Sequence, residues 1–526
     1  MKKQLAIERI GITSEELEDI VVTEEQRSKM HAITPIDGRY KRYVPGLSDL
    51  TSEFAWTKRR VMLEVEYAIS LANEFEHYYK GDKRKILPHA FSGQEKEVLR
   101  SLYKEFNEKD FRQIQEIDKK SEHDTAAMVR WIGSKLHSKD VDPDKFGFSE
   151  EAAHFGLTSS DINTNVYNLI VADILREEYL PTLIRFQETM IDAANSNYHN
   201  TIDDFLEAFA GQTHGQFAEY TTLNKIFANI ADGINQTIAD EFLIKNESNK
   251  IVLVKLPGKL AGAIGNHDDL RGAYPDHDWL SFSKRFVENL GLRYAPMCDQ
   301  DEFNIRNSKL YDAIVRINDV IWKFCDDFWE YASNGLFVKK TGKEVSGSTV
   351  MAQKVNPWRL EGGWELIDDS SSSFQKYHNL TKYKRQGDLR RSIRKRFIGE
   401  PFAKAIIGMK RIIEEVERYQ ANMAIIKKEV NEHPEMFSAY VQTVLKREGI
   451  SDAYDEIKDL TKGKKVTIGN YKAKLLGFVE QGTLKKEVYE EIVHGLNPKE
   501  RTGYATRLAH DTIRAAKASI ELLEVL

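Results

Sequence analysis

The chain has 526 residues, 41% of them hydrophobic and 30% charged, with a formal charge of -6. This is the make-up of a soluble globular protein whose length suggests about two to four domains, and so small a net charge implies neither a nucleic-acid nor a membrane partner. Two cysteines, Cys298 and Cys325, cannot build a disulfide framework, and no C-x-x-C, H-E-x-x-H, G-x-G-x-x-G or Walker-type spacing points to a metal or nucleotide fold.

In chain order, residues 1–30 read as a polar extension with one amphipathic turn, where Thr13 and Glu16 fit a capping box. Acidic residues there precede any apolar run of signal-peptide length, so a reducing, cytoplasmic setting is expected. A mostly helical N-terminal domain is expected over 31–147. It carries Asp37-Gly-Arg-Tyr40 and Glu122-His-Asp124, each of which, taken alone, is a turn or a helix surface. A central bundle is expected over 148–421 and a small helical domain over 422–526. Only 12 prolines occur, many of them at apparent boundaries such as Pro257 and Pro357, which favours long helices.

The bundle opens on His154-Phe-Gly-Leu-Thr-Ser-Ser-Asp-Ile-Asn163. Thr158, Ser159, Ser160 and Asp161 suit an N-cap, and hydroxyls at a helix N-terminus also suit a carboxylate ligand; the two roles can coexist. Helices are expected at about 161–198, 217–248, 276–290, 358–382 and 400–430. Another carries Ile314, Ile317, Ile321, Phe324, Phe328 and Tyr331, the three-four spacing of a left-handed bundle seam. Little reads as strand beyond Ile251 to Val254 and Lys465 to Ile468.

Two clusters in this region suggest chemistry. Gly211-Gln-Thr-His-Gly-Gln216 sets an imidazole, suited to proton transfer near neutral pH, between glycines that admit close backbone approach. Ser346-Gly-Ser-Thr-Val-Met-Ala-Gln-Lys-Val-Asn-Pro357 joins a hydroxyl, a cation and an amide, a trio suited to removing a proton beside a carboxylate and holding the charge that develops. From Lys382 to Phe397, eight of sixteen residues are Lys or Arg, a solvated face or a phosphate site.

Taken together and in this order, these segments resemble the fumarase/aspartase superfamily, and within it the adenylosuccinate lyase family, from about residue 31 onward. The superfamily loop G-S-S-x-M-P-x-K-x-N-P stands here as Gly347-Ser-Thr-Val-Met-Ala-Gln-Lys-Val-Asn-Pro357. The other matching segments are Asp37-Gly-Arg-Tyr40, His123-Asp124, Thr158-Ser-Ser-Asp-Ile-Asn163, Thr213-His-Gly-Gln216 and Gly262-Ala-Ile-Gly-Asn266. The resemblance implies an all-α fold of three helical domains, whose long central bundle forms the core of a homotetramer with active sites shared between subunits. It implies no cofactor or metal, and a succinylated purine nucleotide as substrate.

It also implies residue roles. Ser348 would take the proton from the succinyl carbon and His214 would protonate the departing nitrogen, with Glu361 as partner of the histidine. Lys354 and Asn356, with Thr158 and Ser159, would hold the carboxylates. Arg39, Tyr40, Ser392 and Arg396 would hold the phosphate, and His123 would sit near the leaving group or phosphate. Asp124, Asp161, Thr213, Gln216, Asn266 and Met351 complete the implied substrate site.

The sequence departs from the pattern in several places. Thr349 and Ala352 replace a serine and a proline of the loop, and Gln353 precedes the lysine. Phe217-Ala-Glu-Tyr-Thr replaces a proline-containing continuation after the histidine motif. Gly387 stands where an arginine is usual and Arg391 where an acid is usual. Those changes leave room for another N-succinyl compound or modified purine nucleotide as substrate, and a non-catalytic helical homologue is the third reading.

Overall fold

The computed structural model describes residues 31–78, 86, 89–138, 152–195, 208–246, 248–340, 356–382 and 389–525. The Thr13/Glu16 capping box, Gly387 and the loop residues Ser348, Thr349, Met351, Ala352, Gln353 and Lys354 lie outside them.

Helices dominate, and the only strands among the described residues form four two-stranded pieces, as the all-α expectation requires. The N-terminal region is built on helix α1 (Glu53–Tyr78), whose apolar face includes the fully buried Val61, Val65 and Tyr67. Against it lie α2 (Gly93–Lys104), α3 (Glu108–Ser121) and α4 (Asp124–Ser138). Ser92 with Glu95, and Asn107 with Asp110, cap the starts of α2 and α3 reciprocally, satisfying amide groups that have no partner within the helix.

Helix α5 (Ser159–Ile174) runs through one wide turn at Leu175–Tyr179 into α6 (Leu180–Ala194). The helix expected over 217–248 is a different structure. Strand β1 (Ala208–Thr213) pairs antiparallel with β2 (Gln216–Thr222), and α7 (Leu223–Thr237) begins only there. His214 and Gly215, with φ of 54° and 70°, make the two-residue turn that reverses the chain, as positive φ at both central positions allows. A wide turn at Ile238–Phe242 ends α7, and β3 (Leu243–Lys245) pairs with β4 (Ile251–Leu253), close to the strand expected there.

After β5 (Pro257–Gly258), α8 (Trp279–Asn289) and β6 (Arg293–Tyr294) comes α9 (Ile305–Ser333). Its residues Ile314, Ile317, Ile321, Phe324 and Phe328 are all buried, as the seam spacing requires. Strand β7 (Phe337–Lys339), α10 (Trp358–His378) and α11 (Gly399–Val416) follow. The stretch expected as one helix over 400–430 is interrupted because β8 (Tyr419–Ala421) pairs with β7 before α12 (Met423–Glu432) starts.

The C-terminal region continues with α13 (Ser438–Arg447), α14 (Ala453–Thr461), α15 (Ile468–Glu480), α16 (Lys486–Gly495) and α17 (Ala505–Val525). Residues 465–468 form no strand: Thr467 and Asn470 cap α15 reciprocally, so the short β-branched run is a helix start.

Among the described residues the buried apolar side chains form two cores. The larger runs from Tyr43 to Ile426 and is completed by Ala509, Ile513, Ala516, Ile520 and Leu523 of α17, which lies along α7. The smaller spans Val430 to Leu496 and takes in Ala208, Ala210 and Tyr220 of the hairpin. Each fully buried Ile or Phe in them contributes roughly 1.5–3 kcal/mol. Helices α10 and α11 approach closely at a glycine pair, where a Cβ on Gly363 would lie 2.9 Å from the carbonyl oxygen of Gly408.

Candidate active site

A cavity of about 460 Å³ opens where α1, the α3–α4 turn, the start of α5 and the segment 389–396 meet. His123, Asp124, Ser159, Ser392 and Arg396, all expected site residues, line it together. They come from three segments far apart in the chain.

Local backbone chemistry sets the first wall. Glu122, at φ 51°, ends α3 in the left-handed region, and α4 restarts at once. His123 caps that start, its Nδ1 accepting the Ala126 amide at 3.2 Å. A ring nitrogen that accepts carries no proton, so the neutral imidazole holds its hydrogen on Nε2. Beside it, Asp124 takes Arg60 at 2.9 Å and Arg396 at 2.5 Å. Burial opposes its charge, but the two guanidinium groups prevail and hold the carboxyl down at about 2. Arg60 is itself buried and also donates Nε to Asn163 at 2.8 Å.

The second wall is the first turn of α5. Ser159 and Asn163 face the cavity, and Asp161 does not. Its carboxylate lies in the interior, accepting the amides of Thr158 at 2.9 Å, Ala261 at 2.8 Å and Gly262 at 3.1 Å, with the Lys259 ammonium at 3.1 Å. Both charged side chains are fully buried. A carboxylate so surrounded ties residues 158–161 to 259–262 and orients the hydroxyls beside it. Thr158 accepts the Gln300 amide on its hydroxyl at 3.3 Å.

The third wall holds a pair that sequence reasoning missed. Lys395, buried, meets Asp301 at 2.6 Å, and Asp301 also accepts the Thr164 hydroxyl at 2.7 Å. Both line the cavity with Arg391. Burial works against the Asp301 charge, yet Lys395 and Thr164 hold its carboxyl below the ordinary value. The adjoining Glu302 goes the other way, pushed up to about 7, chiefly by burial. Arg60 had no distinct signal, standing last in Lys58-Arg59-Arg60; Lys395 lies in the basic run noted above, but Asp301, 94 residues away, gave none.

The remaining expected residues stand apart from this cavity in the single chain. Thr213, His214 and Gln216 are exposed at the tip of the β1–β2 hairpin. Glu361 is exposed and accepts the Trp329 indole N–H at 3.2 Å. The Asn356 carbonyl accepts the Lys339 ammonium at 3.0 Å. Arg39 is exposed, Tyr40 lies 5.6 Å from the Arg411 guanidinium, and Asn266 is exposed in the turn after Gly265. Among the described residues no three His, Cys, Asp or Glu side chains gather as metal ligands, and no helix is long and apolar enough to cross a membrane. Burial pushes the Cys298 thiol up to about 11, and Cys325 is fully buried; neither is a reactive thiolate. The cavity brings cations and hydroxyls together with the carboxylates of Asp118, Glu122, Asp124 and Asp301, an arrangement for a hydrogen-bonding ligand that carries anionic groups.

Comparison with known proteins extends this picture over nearly the whole chain. The family described as "Lyase" matches residues 52–366, and that described as "Adenylosuccinate lyase C-terminal" matches residues 383–502. The adenylosuccinate lyase of Legionella pneumophila (strain Corby) is 29% identical over 480 residues, covering 91% of this chain and 98% of its own. That of Dictyostelium discoideum is 31% identical, over 85% of this chain and 91% of its own. Among solved structures, a fumarate lyase from Mesorhizobium sp. BNC1 superposes with a TM-score of 0.61 at 14% identity, over 89% of this chain and 97% of its own. The 3-carboxy-cis,cis-muconate lactonizing enzyme from Pseudomonas putida gives 0.63 at 13%, over 90% and 97%. At such identities the structures speak for the fold alone.

Proposed function

The chain belongs to the adenylosuccinate lyase family of the fumarase/aspartase superfamily, and from that premise we propose that it cleaves adenylosuccinate to AMP and fumarate. By family it also splits the succinylated carboxamide ribotide of purine synthesis. The observation that carries the reading is the convergence of His123, Asp124, Ser159, Ser392 and Arg396 on one cation-bearing cavity.

The reaction is a β-elimination. Ser348 removes a proton from the succinyl carbon next to the carboxylate, the electron pair left behind forms the new double bond, and the C–N bond breaks. His214 gives its proton to the departing nitrogen. A serine is a weak base at its ordinary pKa, so it needs neighbouring positive charge, which Lys354 supplies, and exclusion of water. Lys354 and Asn356 act on the carboxylate whose charge grows as the proton leaves, and so stabilise the transition state more than the substrate. Acid assistance from His214 is worth roughly 10²- to 10⁴-fold.

We further propose a cytoplasmic homotetramer. The exposure of His214 and Glu361, neither of which lines the cavity of its own chain, supports a site completed by neighbouring subunits, in which Glu361 of one chain supports His214 of another. Within one chain, Arg396 and Ser392 hold the phosphate, with His123 beside it.

Release of fumarate from adenylosuccinate by the purified chain tests the assignment, and no release from folded, assembled protein overturns it. A different N-succinyl substrate is the second reading, favoured by Asp301, a carboxylate in the cavity wall. A panel of succinyl amines and nucleotides separates the two.

A further inference from the structure

We propose that His433 is a positioning residue for His214: by stacking on Phe217 it fixes the hairpin tip that carries the imidazole. The proposal rests on the reading of His214 as the acid.

The hairpin needs an external support. Among the described residues, strands β1 and β2 pair only with each other, and a two-stranded hairpin alone is marginal in water. Its register slips between Gly211 and Gln212. A Cβ on Gly211 would stand 2.7 Å from the Glu219 carbonyl oxygen, so glycine is what lets the strands close there. Such an irregularity re-aims the segment beyond it, and that segment is Thr213 to Gln216.

The base of the hairpin is well held. Period-two alternation sends Phe209 toward the bundle, 5.5 Å from the Tyr331 ring, and sends Ala208 and Ala210 into the C-terminal core. Tyr220, paired with Ala210, packs 5.0 Å from Phe437. All of these anchors lie on the base side of the slip. Toward the tip, the aromatic contact is Phe217 on His433, with ring centroids 3.6 Å apart and planes 23° from parallel.

The histidine is in turn fixed from behind. Its Nδ1 lies 2.7 Å from the Glu435 carboxylate; a carboxylate can only accept, so Nδ1 carries the proton and the ring plane is set. Pro434–Phe437 is a single 3₁₀ turn, so one short segment grips the hairpin twice, at Tyr220 through Phe437 and at Phe217 through His433. Phe217 is also the residue with which this sequence leaves the proline-containing continuation of the family it resembles.

The test uses the full chain with His433→Ala, His433→Tyr and Phe217→Ala, read by hydrogen–deuterium exchange over residues 208–222 and by steady-state fumarate release. His433→Ala and Phe217→Ala should speed exchange near the tip at least tenfold and lower kcat about tenfold, with KM within about twofold, the split expected when a group acting only in the transition state is misplaced. His433→Tyr, which keeps a stacking ring, should restore both. Unchanged exchange in His433→Ala, or a His433→Tyr as damaged as the alanine variant, overturns the proposal. If the wild-type chain releases no fumarate from adenylosuccinate, the substrate assignment fails, and the exchange measurement still decides whether His433 holds the tip.

Discussion

Glu302 follows Asp301, which lines the cavity, and the two carboxyl groups are shifted in opposite directions. Asp301 has the Lys395 ammonium at 2.6 Å and stays ionised; Glu302 is pushed up to about 7 from an ordinary 4.5, first by burial. A carboxyl raised on folding contributes its stability fully below pH 4.5 and loses it as pH climbs through 7. The wild-type chain should therefore lose up to roughly 3 kcal/mol between pH 5 and pH 8 from this group. Glu302→Gln should lack that slope, a difference visible in urea midpoints at the two pH values; parallel slopes would refute the assignment. This residue-level layer is the least legible in sequence. His123, Asp124, Ser159, Ser392 and Arg396 were named because they fall in recognisable segments, whereas Asp301 and Lys395 meet only through the fold. Asp161 was legible as a polar residue at a helix start, but the backbone amides of Ala261 and Gly262 that enclose it belong to another segment.

Elements were readable where one physical signal dominated. The seam of α9 follows from apolar spacing alone, whereas the reciprocal caps Ser92/Glu95, Asn107/Asp110 and Thr467/Asn470 that start α2, α3 and α15 were passed over, the last because its β-branched run reads as a strand. The β1–β2 hairpin was misread because its turn uses His-Gly at positive φ, and because Phe217 to Thr222 carries enough apolar residues to pass for a first helical turn. Strand β8 was hidden for a similar reason, lying between two helices with no proline to separate them. The crossing of α10 and α11 was invisible, since the glycine pair that permits it is unremarkable in sequence. A methyl group on Gly363 would meet Ile412 at 2.7 Å and the Gly408 carbonyl at 2.9 Å. Gly363→Ala gains about 1 kcal/mol of helix propensity but must push backbone apart, so a net loss of about 1–3 kcal/mol is expected in chemical denaturation. A stabilised variant would show that the helices can separate at little cost.

For the whole molecule, α9 carries, outside its buried seam, Trp322 at 40% and Trp329 at 42% exposure, with Trp322 edge-on to Trp364 of α10 at 5.2 Å. Large aromatic rings left open on a bundle mark a surface for association, in keeping with the homotetramer proposed above. Trp322→Glu should yield smaller species by light scattering and should lower fumarate release with them, because the shared site proposed above would fail when subunits part. A variant of wild-type mass would move the interface elsewhere.

The return of α17 to α7 sets an order on biosynthesis. The larger core, begun in the first hundred residues, is finished by Ala509 to Leu523, so a nascent chain exposes the groove on α7 throughout the synthesis of everything between. At cellular elongation rates that interval is on the order of tens of seconds, long enough for a chaperone to bind and for truncated chains to aggregate. A ribosome stalled before α17 would leave the larger core unsealed.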